Sequence, residues 1–494
     1  MRKPAFLVAM LLAGCSVGPD YVKPDVATPS TYQDLPAKKT QAPISLPVAG
    51  EADLSQWWMQ FGDAELQSLI GRALRSNLDL LTAASRVREA RQQEIVAGAA
   101  GLPQLNANGL GAHIHSNSSL LSKLGSSSGG SSGAPPPSGP MDLKLYSLGF
   151  DATWEVDIFG GVRRGVEAAK ANTEAALWQM RDGEVTLTAE IAADYFTLRA
   201  TQSRIATLRA ESQRQQGILA LTADRARAGF VTELDVNQQN SLTASTLAQI
   251  PGLEAQARTM EHAIAVLLAE EPEAITAELD RGAALPSLPP QLPVGLPSDL
   301  LRRRPDIRAA ERQLAAATAQ VGVAVADLYP KFNLIAAASF TGSQLGNLLS
   351  GSNLGEVGLG SIVWPIFHGG EIRANVRSKK EDAKQAYYAY QKAVLGAVRD
   401  TEDALTRYTA EQQRLTELER AVASGNSSAT LAREQYRVGL VTYVNVLTAQ
   451  ASALSAQDQL EQSRQALATD LVSLYKALGG GWQETNSPIA RPGN

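Results

Sequence analysis

Two stretches of the chain alternate apolar and polar residues with a period of two, which predicts β-strands with one apolar face. Between residues 146 and 158 the apolar series is Tyr146, Leu148, Phe150, Ala152, Trp154, Val156 and Ile158. A second series alternates in the same way through Phe332, Leu334, Ala336, Ala338 and Phe340. The first stretch is longer than the ~10 residues that a transmembrane strand needs, so Tyr146, Leu148, Phe150 and Trp154 are predicted to face lipid. A soluble β-sandwich would produce the same alternation.

Two weaker strand signals complete a pair of β-hairpins. Residues 104–113 are only weakly apolar, and residues 354–367 change face midway. We expect β-hairpins at about 102–159 and at about 328–367. Four strands cannot close a transmembrane barrel, because the smallest natural barrels have about eight. Several copies of the chain must therefore combine, and the count alone leaves open whether two copies supply eight strands or three supply twelve.

Other segments repeat apolar residues at the spacing of coiled-coil helices. One seam runs through Ile307, Ala310, Leu314, Ala317, Val321, Ala324 and Leu328, and another through Leu187, Ile191, Leu198, Ile205, Leu208 and Leu219. A helix from Val162 to Ala228 would be ~100 Å long at 1.5 Å per residue. An ordinary coiled coil explains the heptads. The narrow, alanine-rich seams, interrupted by residues such as Asp194 and Gln215, favour helices arranged around a water-filled lumen.

The two halves of the chain resemble each other in order. Leu102-Pro103 corresponds to Tyr329-Pro330, and the segment ARAGFVTELDV (226–236) corresponds to YRVGLVTYVNV (436–446). We therefore predict repeat 1 at 61–285 and repeat 2 at 298–481, each made of a helix, a β-hairpin and two long helices. A Pro-rich linker (286–297) separates the repeats, and a short tail (482–494) follows. The first of these pairs lies 227 positions apart and the second 210, and a Ser/Gly/Pro-rich segment at 125–140 explains the smaller offset as a loop insertion in the first half.

The N-terminus carries the signals of an exported lipoprotein. A basic start and a short apolar run precede Leu12-Ala13-Gly14-Cys15, which resembles a bacterial lipobox, and Cys15 is the only cysteine. We predict a signal peptide at 1–14, lipidation of Cys15, and an extended, lipidated N-terminal segment at 15–60. Ser16 follows the cysteine instead of an aspartate, which favours the outer membrane of a Gram-negative cell. The alternative is a buried structural cysteine.

Charge and motifs exclude several functional classes. The net charge of −5 gives no reason to expect a nucleic-acid partner. No nucleophile, nucleotide-binding or zinc-protease motif is present, so neither an enzymatic activity nor a cofactor is expected, apart from the covalent lipid on Cys15. His113 and His115 share a strand face without a nearby cluster of ligands, which favours a polar pair over a metal site.

Four motifs in order resemble the TolC-like outer membrane factors, in the lipoprotein branch that serves RND-type efflux pumps. They are LAGC, LLRRRPDIRAAE, YRVGLVTYVNVLTAQ and LVSLYKALGGGW. The resemblance implies a mainly α fold with a transmembrane β-barrel. Three chains would form a twelve-stranded barrel continuous with a long periplasmic α-helical barrel. It also implies a passive channel that exports small molecules or ions, such as drugs or metals, with a periplasmic adaptor and an inner-membrane RND transporter as partners.

The same resemblance assigns roles to the two helix–helix turns. The adaptor would dock on a tip formed by Gly229, Phe230, Val231, Gly439, Leu440 and Val441. The periplasmic constriction would involve Asp235, Tyr436, Asn445 and Thr448, with Tyr436 bracing the closed state by a hydrogen bond between helices. Family members often carry aspartates where this chain has Asn445 and Thr448. Asp235 is therefore either a substitute lumen charge or a helix-start acid.

Two other functions remain possible at this point. The same fold could serve as the conduit of a protein-secretion exporter. A structural periplasmic coiled-coil lipoprotein, in contrast, would be water-soluble once its lipid was removed.

Overall fold

The computed structural model describes residues 16–32, 46–48, 53–116, 141–281, 285–286, 288–289 and 291–483. Its helices are α1 (Ala64–Ser76), α2 (Leu78–Ala99), α3 (Gly161–Arg227), α4 (Glu233–Leu267), α5 (Thr276–Leu279), α6 (Leu300–Arg303), α7 (Pro305–Ala326), α8 (Glu371–Arg437) and α9 (Tyr443–Ala477). Its strands are β1 (Leu46–Val48), β2 (Gln104–Ser116), β3 (Met141–Val156), β4 (Gln291–Pro293), β5 (Lys331–Gly342) and β6 (Leu354–Val363). Short 3₁₀ helices lie at Trp57–Phe61, Pro297–Asp299, Leu345–Asn347 and Gly351–Asn353. None of the helices in this part of the chain is both long and apolar enough to cross a bilayer.

The internal duplication is visible in the lengths of the helices. α3 and α8 both have 67 residues, α4 and α9 both have 35, and α2 and α7 both have 22. Equivalent tryptophans also make equivalent contacts. The Trp154 indole donates to the Gly101 carbonyl (3.0 Å), and the Trp364 indole donates to the Leu328 carbonyl (3.2 Å). The mainly helical, tandem-duplicated fold expected from the sequence is confirmed.

The chain divides into two compact units that do not coincide with the repeats, since each unit takes segments from both. The first unit contains residues 1–22, 90–172 and 314–386. Its centre is an antiparallel sheet of order β2-β3-β5-β6. The strand pairs β2–β3 and β5–β6 are the two predicted β-hairpins. β6 ends at Val363 and does not reach residue 367.

The second unit contains residues 23–89, 173–313 and 387–494 and holds most of the apolar core. The charged side chain of Arg199 is fully enclosed in it. The Arg199 guanidinium contacts the Glu65 carboxylate, donates to the Leu279 carbonyl (3.0 Å), and lies over the Tyr195 ring (4.9 Å). A buried charge needs such a set of partners, because desolvation is otherwise costly.

Two of the sequence motifs, RRRPDIR and GGGW, pack against each other in this second unit. Arg304 of RRRPDIR donates to the Ala477 carbonyl at the end of α9 (3.1 Å) and forms ion pairs with Asp306 (2.7 Å) and Asp400 (3.4 Å). Gly479 of the GGGW motif has a positive φ of 73°, and a Cβ there would lie 3.0 Å from the Arg304 Cα. The Trp482 indole donates to the Arg303 carbonyl (3.0 Å). The motifs are therefore two sides of one contact that ends helix α9.

The Pro-rich linker and the end of the N-terminal segment both make specific contacts with other parts of the chain. In the Pro-rich linker, β4 pairs in parallel with β1, and Leu292 and Val294 are buried. At the end of the N-terminal segment, Trp57 stacks on Tyr475 with ring centroids 4.9 Å apart. Apolar residues of both segments are thus part of the core.

Replacing Arg304 with methionine is expected to destabilise the second unit by about 1.5–3 kcal/mol, the usual value of a hydrogen-bonded charge. The measurement is thermal or urea unfolding of the detergent-solubilised protein, followed by circular dichroism. Arg399→Met is the matched control, because exposed Arg399 also pairs with Asp400 (2.7 Å) and its loss should change little. Equal effects of the two substitutions would contradict the assigned role of Arg304.

Candidate functional site

The turns between the long helices have the same backbone geometry in both repeats. After α3, Gly229 has a φ of 80°, its N–H donates to the Ala226 carbonyl (2.9 Å), and the Phe230 N–H donates to the Arg225 carbonyl (2.9 Å). After α8, Gly439 (φ 78°) and Leu440 repeat this pattern. This pair of bonds is a Schellman C-cap, which requires a left-handed residue and so selects glycine. We call α3 with α4 helical hairpin 1, and α8 with α9 helical hairpin 2.

Each turn presents an apolar side chain to the exterior of the chain. Phe230 is 79% exposed and Leu440 is 75% exposed, while Val231 and Val441 are partly covered. Large apolar side chains that are this exposed on a turn are typical of an interaction surface. The structure therefore places all six predicted docking residues on the two turns. Their role remains a prediction.

Asp235 and Asn445 occupy equivalent positions at the starts of α4 and α9. The Thr232 N–H donates to the Asp235 carboxylate (3.2 Å) in a capping box, and the Thr442 hydroxyl donates to the Asn445 side-chain oxygen (2.7 Å). A negative charge at a helix N-terminus is favoured by the helix dipole. The helix-start function of Asp235 thus has a direct structural basis. A further part in a constriction, together with exposed Thr448, stays a prediction.

Tyr436 lies against a second tyrosine that the sequence reading did not single out. The Tyr436 and Tyr443 rings are 5.1 Å apart, and the Arg225 guanidinium lies 5.9 Å from the Tyr436 ring. The Tyr436 hydroxyl is buried and has no hydrogen-bond partner among the described residues of this single chain. Burial, reinforced by Asp235, raises its pKa.

Near the turns, Tyr443 makes a hydrogen bond between the two helical hairpins. Its hydroxyl donates to the Gln239 side-chain oxygen at 2.5 Å, and both residues are buried. Burial raises the pKa of Tyr443 to about 12, so its hydroxyl remains a donor at neutral pH. The sequence signal that could have identified Tyr443 is its place at the first position of α9, within the motif YRVGLVTYVNVLTAQ.

The sheet of the first unit has the two faces that the alternation predicted. Leu148, Phe150 and Trp154 are exposed on one face, where Tyr146 is partly covered. On the other face the Asn106 and Asn108 side chains donate to Asp151 at 3.0 Å and 2.6 Å. In β6 the pattern is reversed, because Val357 and Leu359 pair with Ala337 and Ile335 on the Asp151 face.

The residues that follow Cys15 are fixed in the first unit. The Val17 N–H donates to the Phe159 carbonyl (3.1 Å), next to the end of β3. The buried Arg164 donates to the Val17 carbonyl (3.2 Å) and to Asp20 (2.5 Å). Gly322 of α7 makes room for this arginine, since a Cβ there would lie 2.8 Å from two Arg164 side-chain carbons. We call this arrangement the N-terminal clamp.

Two sequence predictions concern ligands. Cys15 and the signal peptide lie outside the described residues, so lipidation stays a prediction. His113 contacts Asp142 across the β2–β3 pair. In the described part of the chain, no three His, Cys, Asp or Glu side chains are grouped to hold a metal ion.

A family model of outer membrane efflux proteins matches residues 69–270 and 296–480. The chain belongs to this family. Pyoverdine export outer membrane protein OpmQ of Pseudomonas aeruginosa is 35% identical over 496 residues, 99% of each chain. Nodulation protein T of Rhizobium leguminosarum bv. viciae is 33% identical over 97% of this chain and 94% of its own length.

Solved structures agree with the assignment. The outer-membrane channel OprN superposes with a TM-score of 0.84 at 34% identity, covering 95% of this chain and 100% of that chain. The protein is therefore an outer-membrane efflux channel, as the sequence motifs predicted.

The N-terminal clamp gives a test with a matched control. Gly322→Ala should expose the Val17 amide to hydrogen exchange and destabilise the first unit by about 1–3 kcal/mol, because Arg164 must move. Gly165→Ala, where the added methyl meets nothing within 4 Å, should leave the clamp intact and stabilise its helix by about 0.5–1 kcal/mol. Hydrogen–deuterium exchange of residues 16–22 separates the two outcomes. Unchanged protection in Gly322→Ala would contradict the clamp.

Proposed function

We propose that three copies of the chain form the passive outer-membrane conduit of a tripartite efflux system. The observation that carries the proposal is the pair of equivalent turns, which present Phe230 and Leu440 from a chain of the outer membrane efflux protein family. The turns are the docking tip for a periplasmic adaptor. An inner-membrane RND transporter supplies the energy, and the cargo consists of small molecules or ions. The pyoverdine-export relative supports a small-molecule cargo.

Assembly from several copies follows from the edges of the sheet. In the described chain, β2 and β6 each pair with one neighbour only. Unpaired backbone groups are costly in lipid, so these edges must be paired in the membrane. Because the strand directions alternate, β6 of one copy can pair antiparallel with β2 of the next. Three copies then supply twelve strands.

The remaining assignments complete the proposal. Cys15 carries the lipid anchor, and the clamp holds the following residues beside the end of β3. Asp235, Tyr436, Asn445 and Thr448 lie at the narrow periplasmic end, where the helices close the conduit until an adaptor favours a more open packing. An adaptor can do this only by binding the open state more tightly. The channel itself catalyses no reaction and needs no cofactor.

The docking tip is tested by placing charges on it. Phe230→Asp combined with Leu440→Asp should abolish co-purification with the cognate adaptor, because a carboxylate cannot be buried unpaired in an apolar contact. The channel should still insert into bilayers and conduct, which shows that the fold is intact. Undiminished adaptor binding by the double variant would exclude these turns as the docking surface.

The gate is tested by planar-bilayer conductance of the detergent-solubilised protein. Wild type should open rarely, and Tyr436→Phe combined with Asp235→Ala should open more often. Large wild-type currents that the substitutions leave unchanged would keep the channel but remove this gate. A protein that stays soluble without detergent and never conducts would instead be a periplasmic tether.

A further inference from the structure

Within one chain, several polar side chains connect the two helical hairpins. Near the turns, the Tyr443 hydroxyl of hairpin 2 donates to Gln239 of hairpin 1 (2.5 Å). Farther along, Arg204 pairs with Asp458 (2.8 Å) and the Ser203 hydroxyl donates to Glu461 (3.0 Å). Of these contacts, the Tyr443–Gln239 bond is the one nearest the turns and has both partners buried.

Gln239 extends the contact to a third helix. Its side-chain amide donates to the Gln215 carbonyl of α3 and lies equally close to the Thr243 hydroxyl of α4, both at 3.2 Å. The Tyr436 ring of α8 packs on the Tyr443 ring. One amide and one phenol thus connect all four long helices just above the turns.

This contact has no counterpart in the duplication. With the offset of 210 residues, Tyr443 corresponds to Glu233, and Gln239 corresponds to Ala449. If three copies form the conduit, hairpins meet both within a chain and between chains. With the repeats placed equivalently around the conduit, the interface between chains would bring Glu233 and Ala449 to these places, so the hydroxyl–amide bridge would form only within a chain.

A buried polar contact of this kind fixes position more than it adds stability. The net free energy of one neutral hydrogen bond is about 0.5–1.5 kcal/mol, whereas a partner left unpaired in the interior is penalised. Single buried amides fix the register of packed helices in the same way. Such a contact favours one arrangement of the hairpins yet can be broken by a binding partner.

We propose that the Tyr443–Gln239 hydrogen bond is the latch that holds helical hairpin 2 against hairpin 1 in the closed channel. Tyr443 and Gln239 are positioning residues, and they lie outside the set that the sequence motifs assigned to the gate. The proposal rests on the proposed function, since a latch has meaning only in a channel that opens. Loss of the latch should increase opening without loss of assembly.

The test measures open probability in planar bilayers for wild type, Tyr443→Phe, Gln239→Met and the double variant. Tyr443→Phe keeps the ring contact with Tyr436 and removes only the hydroxyl. We expect a rise of roughly three- to tenfold for each single variant, the value of one hydrogen bond. The double variant should rise no further than the larger single effect, since both remove the same bond. Gln239→Met preserves side-chain volume and gives the same test if Tyr443→Phe fails to assemble.

Tyr475→Phe is the matched control, because the buried Tyr475 also donates its hydroxyl to a glutamine, Gln60, at 3.0 Å, and α9 separates it from the turns by most of its length. It should lower thermal stability without a change in open probability. Equal increases in Tyr443→Phe and Tyr475→Phe, or no increase in Tyr443→Phe while wild type conducts, would overturn the latch and leave the channel. Absence of conductance in every variant, wild type included, would overturn the proposed function.

Discussion

The backbone of the four-stranded sheet sets the main constraint on this molecule. A β-strand in lipid must pair on both sides, and the described chain pairs β2 and β6 on one side only. Assembly of several copies follows from that requirement, and the proposed number of three comes from the family resemblance. The residues on the sheet are consistent with it, since Phe150 and Leu148 lie exposed on one face while Asn106, Asn108 and Asp151 form hydrogen bonds on the other.

Because the chain is duplicated, the same turns and helix starts occur in both repeats. The same Schellman turn ends α3 and α8, and at the starts of α4 and α9 the hydroxyl of the preceding threonine donates to the side chain three residues later. Differences between the repeats then mark special positions. Asp235 corresponds to Asn445 in the other repeat, and the Tyr443–Gln239 bond has no equivalent.

The sequence was sufficient for features that depend on local periodicity. The alternation around Phe150 predicted a strand, and Gly229 and Gly439 predicted turns, because strand faces and left-handed residues are local properties. Contacts between distant segments were not predictable. Nothing local in Leu292 indicates its pairing with the 46–48 strand, and nothing local in Arg304 indicates the end of α9 as its partner. Tyr443 was missed for the same reason, since its importance comes from Gln239, more than two hundred residues away.

The most direct test of the gated, three-copy conduit is a distance measurement at the tips. The sequence has one cysteine, Cys15, and the proposed lipid blocks its thiol, so a cysteine introduced at Glu233 carries the only spin label of each chain. Pulsed electron–electron double resonance on the detergent-solubilised protein should give one sharp distance. This distance is the side of the equilateral triangle formed by the labels of the three copies. That distance should lengthen when the cognate adaptor is added and in Tyr443→Phe. More than one resting distance, or a distance that neither the adaptor nor Tyr443→Phe changes, would contradict the account.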